Sequence, residues 1–419
     1  MTGARLTCTL MTSGTLIVTT LNTAADKTRP LPLGALLALA MTGFICIITE
    51  TLPAGLLPQM AAGLGVSTAL AGQTVTVYAL GSLLAAIPLT IATQGWRRRN
   101  VLLLAIVGFL IFNSITTFST HFALTLVARF FAGAAAGLAW SLLAGYARRM
   151  VPVHQQGKAL AVAMVGTPIA LALGVPVGTW LGTAVGWRTA FGIMSALTLL
   201  LIGWVLLRVP DYPGQSSDQR LPLRTVFMTP GVRPVLGVVL AWMTAHNILY
   251  TYIAPFVSQA GLAGQVDSVL LVFGIAALAA IGLAGRLVDH HLRVAVLGSL
   301  ALFALVSLLF IWLARLPLLV YVGVALWGLT FGGAATLLQT ALADAAGEGA
   351  DVALSMNVVV WNSAIAGGGL AGGVLLTHWG VASFPLALLL LLAVGFLIAL
   401  RARQHGFQAG ARHQRVQGH

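Results

Sequence analysis

The chain has 419 residues, 59% of them hydrophobic and 7% charged, and a net charge of +13. So few charges cannot cover the surface of a soluble protein of this length. That excludes the two or three soluble domains that length alone would suggest and leaves a polytopic bundle of membrane-spanning helices. The 22 Lys and Arg, set against nine acidic residues, lie mainly in short loops between apolar runs, so a lipid bilayer and not nucleic acid is the expected partner.

Residues 1–32 are Thr-rich and lack helical periodicity, and their apolar stretch, near Leu16 to Thr19, is too short to span. With no small-residue cleavage site after it, this segment is expected to be a disordered cytoplasmic tail, or the product of a start codon placed too early. Cys8 in the tail and Cys46 in the first apolar run offer neither a disulfide framework nor a Cys-rich metal site, and no cofactor is expected. Apolar runs follow near 33–56, 69–92, 100–118, 122–147, 159–183 and 187–208. After the polar linker "VPDYPGQSSDQRLPLRTVFMTPGVRP", six more lie near 234–259, 268–288, 292–314, 317–343, 352–377 and 381–402. The expected divisions are therefore an N-terminal half over 33–208, a cytoplasmic linker over 209–233, a C-terminal half over 234–402 and a cytoplasmic tail over 403–419. With both ends inside, every basic residue except Arg129, Arg188 and Arg315 falls on the inner side. The fold class is thus all-α, twelve transmembrane helices in two six-helix halves. "GSLLAAIPLTIATQGWRRRNVLLL" from Gly81 aligns without gaps to "GIAALAAIGLAGRLVDHHLRVAVL" from Gly274, a weak echo of the parallel repeats in which a substrate site lies between the halves.

In the first span, "IITETLPAGLLPQM" holds Glu50, and no further acidic residue follows until Asp211. Glu50 lies about six residues before the outer end of its helix, and Arg129 about seven residues after the outer start of the fourth, so both sit roughly 9–10 Å below the outer surface. Each alone would cost on the order of 3 kcal/mol at a helix centre, which pairing or water reduces. Three readings stand: a proton site whose affinity switches as the distance to Arg129 or access to water changes, a structural ion pair joining the first and fourth helices, and direct binding of a cationic substrate by Glu50.

Other polar and aromatic residues gather in particular spans. The second offers Gln73, Thr76 and Tyr78. The fourth reads "RFFAGAAAG", with Gly133 and Gly137 four apart below Arg129, and adds Trp140. The fifth carries "GVPVGTWLGTAVG", where Gly174, Gly178, Gly182 and Gly186 recur at every fourth position and draw a stripe of missing side chains that another backbone can approach. Pro168 and Pro176 can kink that helix. The stripe is expected to seal the interface between halves. The seventh span has "WMTAHNILYTY" with His246, Asn247 and Tyr250, the tenth has Trp327 and Gln339, and the eleventh has "NVVVWNS" with Asn357 and Trp361. Amides facing lipid would be costly, so these residues are expected to face a partner helix or an amphipathic cavity suited to flat, hydrogen-bonding molecules. "RLVDHHLR", with Asp289 beside His290 and His291, reads as a solvated loop and not a metal site.

These stretches resemble the major facilitator superfamily, in its twelve-helix drug:proton antiporter branch, from about Leu33 to Arg401. "RFFAGAAAGLAW" is similar to the Arg-Gly motif tied to proton transfer in that branch. "GVPVGTWLG" followed by "GWRTAF" resembles the antiporter signature, which makes Gly174, Pro176, Gly178 and Gly182 structural motif residues by resemblance. "GRLVDHHLR" looks like the loop motif between the eighth and ninth helices, matched at Gly285, Asp289 and Arg293. The equivalent after the second span, "TQGWRRRN", keeps its basic residues but lacks the Asp, leaving the usual gating salt bridge without its acid. "TETLPAGLLPQMAAGLGVS", "AGQTVTVYAL", "GWRTAF", "YTYIAP" and "WGLTF" are similar to stretches of bacterial purine nucleoside exporters and arabinose-efflux-like permeases.

The resemblance implies a proton-coupled exporter of a small organic molecule, working by alternating access in the bacterial inner membrane and expected to be a monomer. Glu50 and Arg129 would handle the proton, with His246, Asn247, Tyr250, Asn357, Trp361, Gln73 and Trp140 contacting a nucleoside, sugar or drug. The alternatives are an uptake or facilitative carrier, a membrane enzyme, which would need a polar catalytic cluster that the sequence lacks, and a non-transporting receptor of the same fold, to which the missing Asp points.

Overall fold

The computed structural model describes residues 30–93, 95–152, 155–214, 223–408 and 410. The tail expected over 1–32 falls almost wholly outside them, as do residues 215–222 of the linker and the last residues of the C-terminal tail. Twelve helices are long and apolar enough to cross a membrane. They are α1 (Leu33–Gly55), α2 (Thr68–Ala86), α3 (Arg98–Phe118), α4 (Phe122–Arg149), α5 (Ala159–Val185), α6 (Trp187–Arg208), α7 (Val232–Thr251), α8 (Ala263–Val288), α9 (His290–Leu313), α10 (Pro317–Ala346), α11 (Val352–Trp379) and α12 (Val381–Arg401). Helices satisfy every backbone group within one segment, which is what a chain this apolar requires in lipid. Arg97, Arg98, Arg99, Arg148 and Arg149 lie on one face of the bundle, while Arg188 and Arg315 lie at turns of the other, charge-poor face.

The echo between halves is realised in the packing. α4 crosses α2 so closely that a Cβ on Gly133 would fall on the Tyr78 carbonyl and one on Gly137 would strike that of Ser82. In the second half α10 crosses α8 in the same way, Gly328 over the Phe273 carbonyl and Gly332 over that of Ala277. Between halves, α2 packs on α11 and α5 on α8, and α1 also touches α7.

The glycine stripe of α5 departs from expectation. Gly174 faces Ile48 and Phe44 and Gly178 faces Leu52, all on α1 of the same half, and Gly182 faces Leu56 just past its end. The stripe therefore seats α1 and does not seal the halves. The close approach between halves uses the opposite arrangement: Gly274 of α8 receives the backbone of Leu171 and Ala172 of α5. A π turn at Ala170–Gly174 precedes Pro176, whose missing N–H would have bonded the Ala172 carbonyl, so the widened turn absorbs the lost hydrogen bond.

Three further departures have local causes. Helix α7 stops at Thr251 and a short helix, Ile253–Ser258, continues beyond Tyr252, because Pro255 cannot donate to the Thr251 carbonyl. "RLVDHHLR" is helical and not an open loop, with His291 alone leaving helical geometry (φ −132°, ψ 28°) where α8 gives way to α9. Helix α10 is broken into Pro317–Gly332 and Ala334–Ala346 at a pair of glycines.

The arginine-rich face is strapped by the start of the linker. Asp211 accepts hydrogen bonds from the Arg97 side chain and, at 3.2 Å, from the Arg99 backbone N–H in the first turn of the helix Arg98–Phe118. Tyr146 donates to the Pro210 carbonyl at 2.7 Å and Arg149 to that of Pro213 at 3.1 Å. Asp211 thus supplies the acid that the α2–α3 loop lacks. Burial works against its charge, but the Arg97 and Arg99 hydrogen bonds outweigh it and hold the carboxyl below the usual aspartate range. That stabilisation is present at neutral pH and lost as pH falls through the lowered value. In the second half Arg293 does a comparable task, donating to the carbonyls of Ala399 and Phe407 at 3.0 and 2.9 Å. Gly285 faces open space with room for a Cβ, and the Asp289 side chain lies outside the described residues.

Candidate functional site

Arg129 is fully buried between α1, α2 and α6, drawn in by the small residues that follow it on α4. Its guanidinium does not meet the Glu50 carboxylate. Nη1 donates to the Thr49 carbonyl at 2.5 Å, Nη2 to the Glu50 backbone carbonyl at 3.3 Å and Nε to the Thr74 carbonyl at 3.2 Å. The ion pair expected from matching depth is therefore a set of charge–carbonyl bonds. The reason is Pro53: four residues after Thr49, it has no N–H to offer, so the Thr49 carbonyl is left open inside the helix and Arg129 takes it. The ring of Tyr78 lies 4.6 Å below the guanidinium and that of Phe191 5.7 Å away, adding two π faces to the carbonyl dipoles. Tyr78 is itself fixed by donating to the Cys46 carbonyl at 3.1 Å.

Glu50 is half-buried, and its carboxylate makes no hydrogen bond or ion pair among the described residues. Its helix touches α7, the helix of Tyr250, across the boundary between halves. Tyr250 leads into a box of rings. His246 lies 5.2 Å from it, and His246 in turn stacks face to face on Phe331 at 3.6 Å with 7° between planes. Phe273 and Trp327 close the box, their centroids 4.4 Å apart, with Trp327 5.2 Å from His246.

The box is short of hydrogen bonds. His246 Nδ1 and Trp327 Nε1 are buried with no partner, and Tyr250 Oη faces the Thr51 hydroxyl without closing a hydrogen bond to it. Asn357 Oδ1 on α11 is buried and unpartnered too. Each such group forfeits roughly 1–3 kcal/mol of desolvation unless something pairs with it, so a cluster of them marks a place where another molecule can be recognised.

The remaining predicted residues serve other ends. Gln73 donates to the Tyr252 hydroxyl at 3.1 Å and the Gly369 carbonyl at 3.3 Å, while Tyr252 donates to Gly369 at 2.8 Å. Between described residues, the hydrogen bonds that cross the halves all gather here, towards the charge-poor face, so Gln73 is placed in a contact between halves and away from the box of rings. Val75 and Ala79 of α2 pack on Ile365 and Ala366 of α11 beneath that contact, with Trp361 half-buried against them. Asn247 donates to the Met243 carbonyl at 2.7 Å and lies against Gly368, a packing role. Trp140 lies against Gly43 of α1. Sequence reasoning missed Tyr252, Phe273 and Phe331. For Phe331 a signal was present: the two glycines after it announce a broken helix that can present its last ring.

A bundle of twelve spanning helices in two echoing halves, with a buried-span carboxylate in the first and unpaired polar atoms in the second, is the architecture of a polytopic membrane carrier. The chain belongs to the Major Facilitator Superfamily, whose sequence profile matches residues 39–369. It is 33% identical over 392 residues to the protein of Escherichia coli O1:K1 / APEC named purine ribonucleoside efflux pump NepI, covering 91% of this chain and 97% of that protein. The protein of the same name from Shigella sonnei (strain Ss046) is also 33% identical, over 86% of this chain and 92% of its own length.

Proposed function

We propose that this transporter exports a purine nucleoside or a closely related flat molecule from the bacterial cell in exchange for protons, with both termini cytoplasmic. The observation that carries the reading is the position of Glu50: a half-buried carboxylate without a hydrogen bond or ion pair among the described residues, on the helix that touches α7, from which His246 and Tyr250 of the box project. Glu50 and the box belong to different halves, so a rocking motion changes their relation. A proton on Glu50 neutralises it and leaves Arg129 on its three carbonyls. Loss of that proton creates a carboxylate able to draw one arm of the guanidinium away from α1. Occupation of the box and charge on Glu50 then bias the same motion, which is what coupling requires. The relatives named purine ribonucleoside efflux pumps support both the substrate class and the direction. Against the receptor alternative, Asp211 gives Arg97 and the Arg99 N–H an acid where the α2–α3 loop brings none.

Proteoliposomes with an imposed pH gradient test this. Wild type is expected to drive labelled adenosine against its gradient, and Glu50→Gln to abolish that driven uptake while keeping a wild-type thermal unfolding profile. Wild-type driven uptake by Glu50→Gln would sink the proton assignment.

A further inference from the structure

We infer that the box of His246, Tyr250, Phe273, Trp327 and Phe331 is a folded-shut site for a purine-type base, with Phe331 lying where the base stacks. The inference rests on the function proposed above and assigns its substrate's aromatic part to named residues.

Three independent observations meet here. The first is the stack itself. His246 and Phe331 are nearly parallel at 3.6 Å, the arrangement a flat heteroaromatic would adopt on the imidazole. Of the two rings Phe331 is the more accessible, half-buried while His246 is buried, so it covers the imidazole from outside. The second is the hydrogen-bonding deficit around that stack. His246 Nδ1 and Trp327 Nε1 are buried without partners, and the phenyl rings of Phe273 and Phe331 beside them can supply none. A purine offers donors and acceptors around its edge as well as a face, so it matches both what the rings and what the unpaired atoms lack. The third is the hinge. Phe331 is followed by the break between Pro317–Gly332 and Ala334–Ala346, where a small change at Gly333 re-aims the ring without unwinding the rest of α10.

The site is used as follows. With Phe331 stacked, the box is closed and its polar atoms are idle. When the Phe331 ring swings aside at the break, with Gly328 and Gly332 kept on α8, it leaves the imidazole and the base takes its place, its edge pairing with His246, Trp327 and Tyr250. The ring thus competes with the substrate for one surface.

Purified protein and labelled adenosine test the site by equilibrium binding, with adenine and ribose as competitors. Adenine is expected to compete and ribose not. Phe331→Leu, which removes the competing ring, is expected to tighten binding by about tenfold, and His246→Phe, which keeps the stack but deletes Nδ1, to weaken it by about tenfold. Trp327→Phe keeps a ring and removes only Nε1, with the same weakening expected, so the two ring-preserving variants decide the matter if Phe331→Leu folds poorly. Dissociation constants within twofold of wild type in these variants, equal competition by ribose, or no binding to wild type would each overturn the site. If the variants behave as expected but a pH gradient drives no adenosine, the exporter reading falls and the site stands. If driven transport occurs and the variants bind like wild type, the site falls and the exporter reading stands.

Discussion

Arg129 holds a fully buried position without touching a carboxylate, because Pro53 opens a carbonyl for it in the neighbouring helix. Three different nitrogens of one planar group reach three carbonyls, which an ammonium on a single atom cannot reproduce. Arg129→Lys is therefore expected to lower stability by about 2–3 kcal/mol, measured by chemical unfolding in detergent. In a Pro53→Ala background the Thr49 carbonyl gains its own N–H, so the same substitution is expected to cost about 1 kcal/mol less. A double-mutant cycle with no coupling would show that the proline and the arginine are unrelated. The sequence placed Glu50 and Arg129 at one depth, but a charge pattern shows only side chains. The acceptors turned out to be backbone oxygens, visible only once Pro53 is set in its helix.

At the scale of helices, the crossings of α4 over α2 and of α10 over α8 depend on glycines that have backbone carbonyls in front of them. A carbonyl inside a helix cannot step aside as a side chain can, so Gly133→Ala is expected to destabilise by about 1–3 kcal/mol. Gly145→Ala, on the same helix but facing open space, is expected to be neutral or to stabilise by up to about 1 kcal/mol. Thermal unfolding of the two variants side by side separates a packing demand from a general intolerance of the helix. The contrast also shows what was readable beforehand. The span limits needed only hydropathy, and α5, expected over 159–183, runs over Ala159–Val185. The spacing in "RFFAGAAAG" announced a close crossing that is present. The stripe in "GVPVGTWLGTAVG" announced one as well, but missing side chains reveal that something comes near and not what. α1 took the place expected of the other half, and Gly274, unremarkable in sequence, made the contact between halves.

For the whole molecule, closure towards the charge-poor face rests on the cluster of Gln73, Tyr252 and Gly369 above a small apolar plug. Removing its side-chain hydrogen bonds, with Gln73→Ala and Tyr252→Phe together, is expected to raise the fraction of molecules open on that face. A cysteine placed at Thr76, which is 5% exposed, is expected to react faster with an impermeant thiol reagent in that background than alone. Unchanged labelling would show that the apolar plug holds the face by itself. The strap at Asp211 bears on a different property, the order in which the chain is made. The acid that fastens the α2–α3 loop is encoded 112 residues downstream of the backbone N–H it caps, beyond the end of α6. During synthesis Arg97 and the Arg99 N–H wait for Asp211 until the whole first half and the start of the linker have emerged. A first half cut at Arg208 would leave its own lock behind, and a chimera joined there would inherit whatever residue the other partner happens to bring.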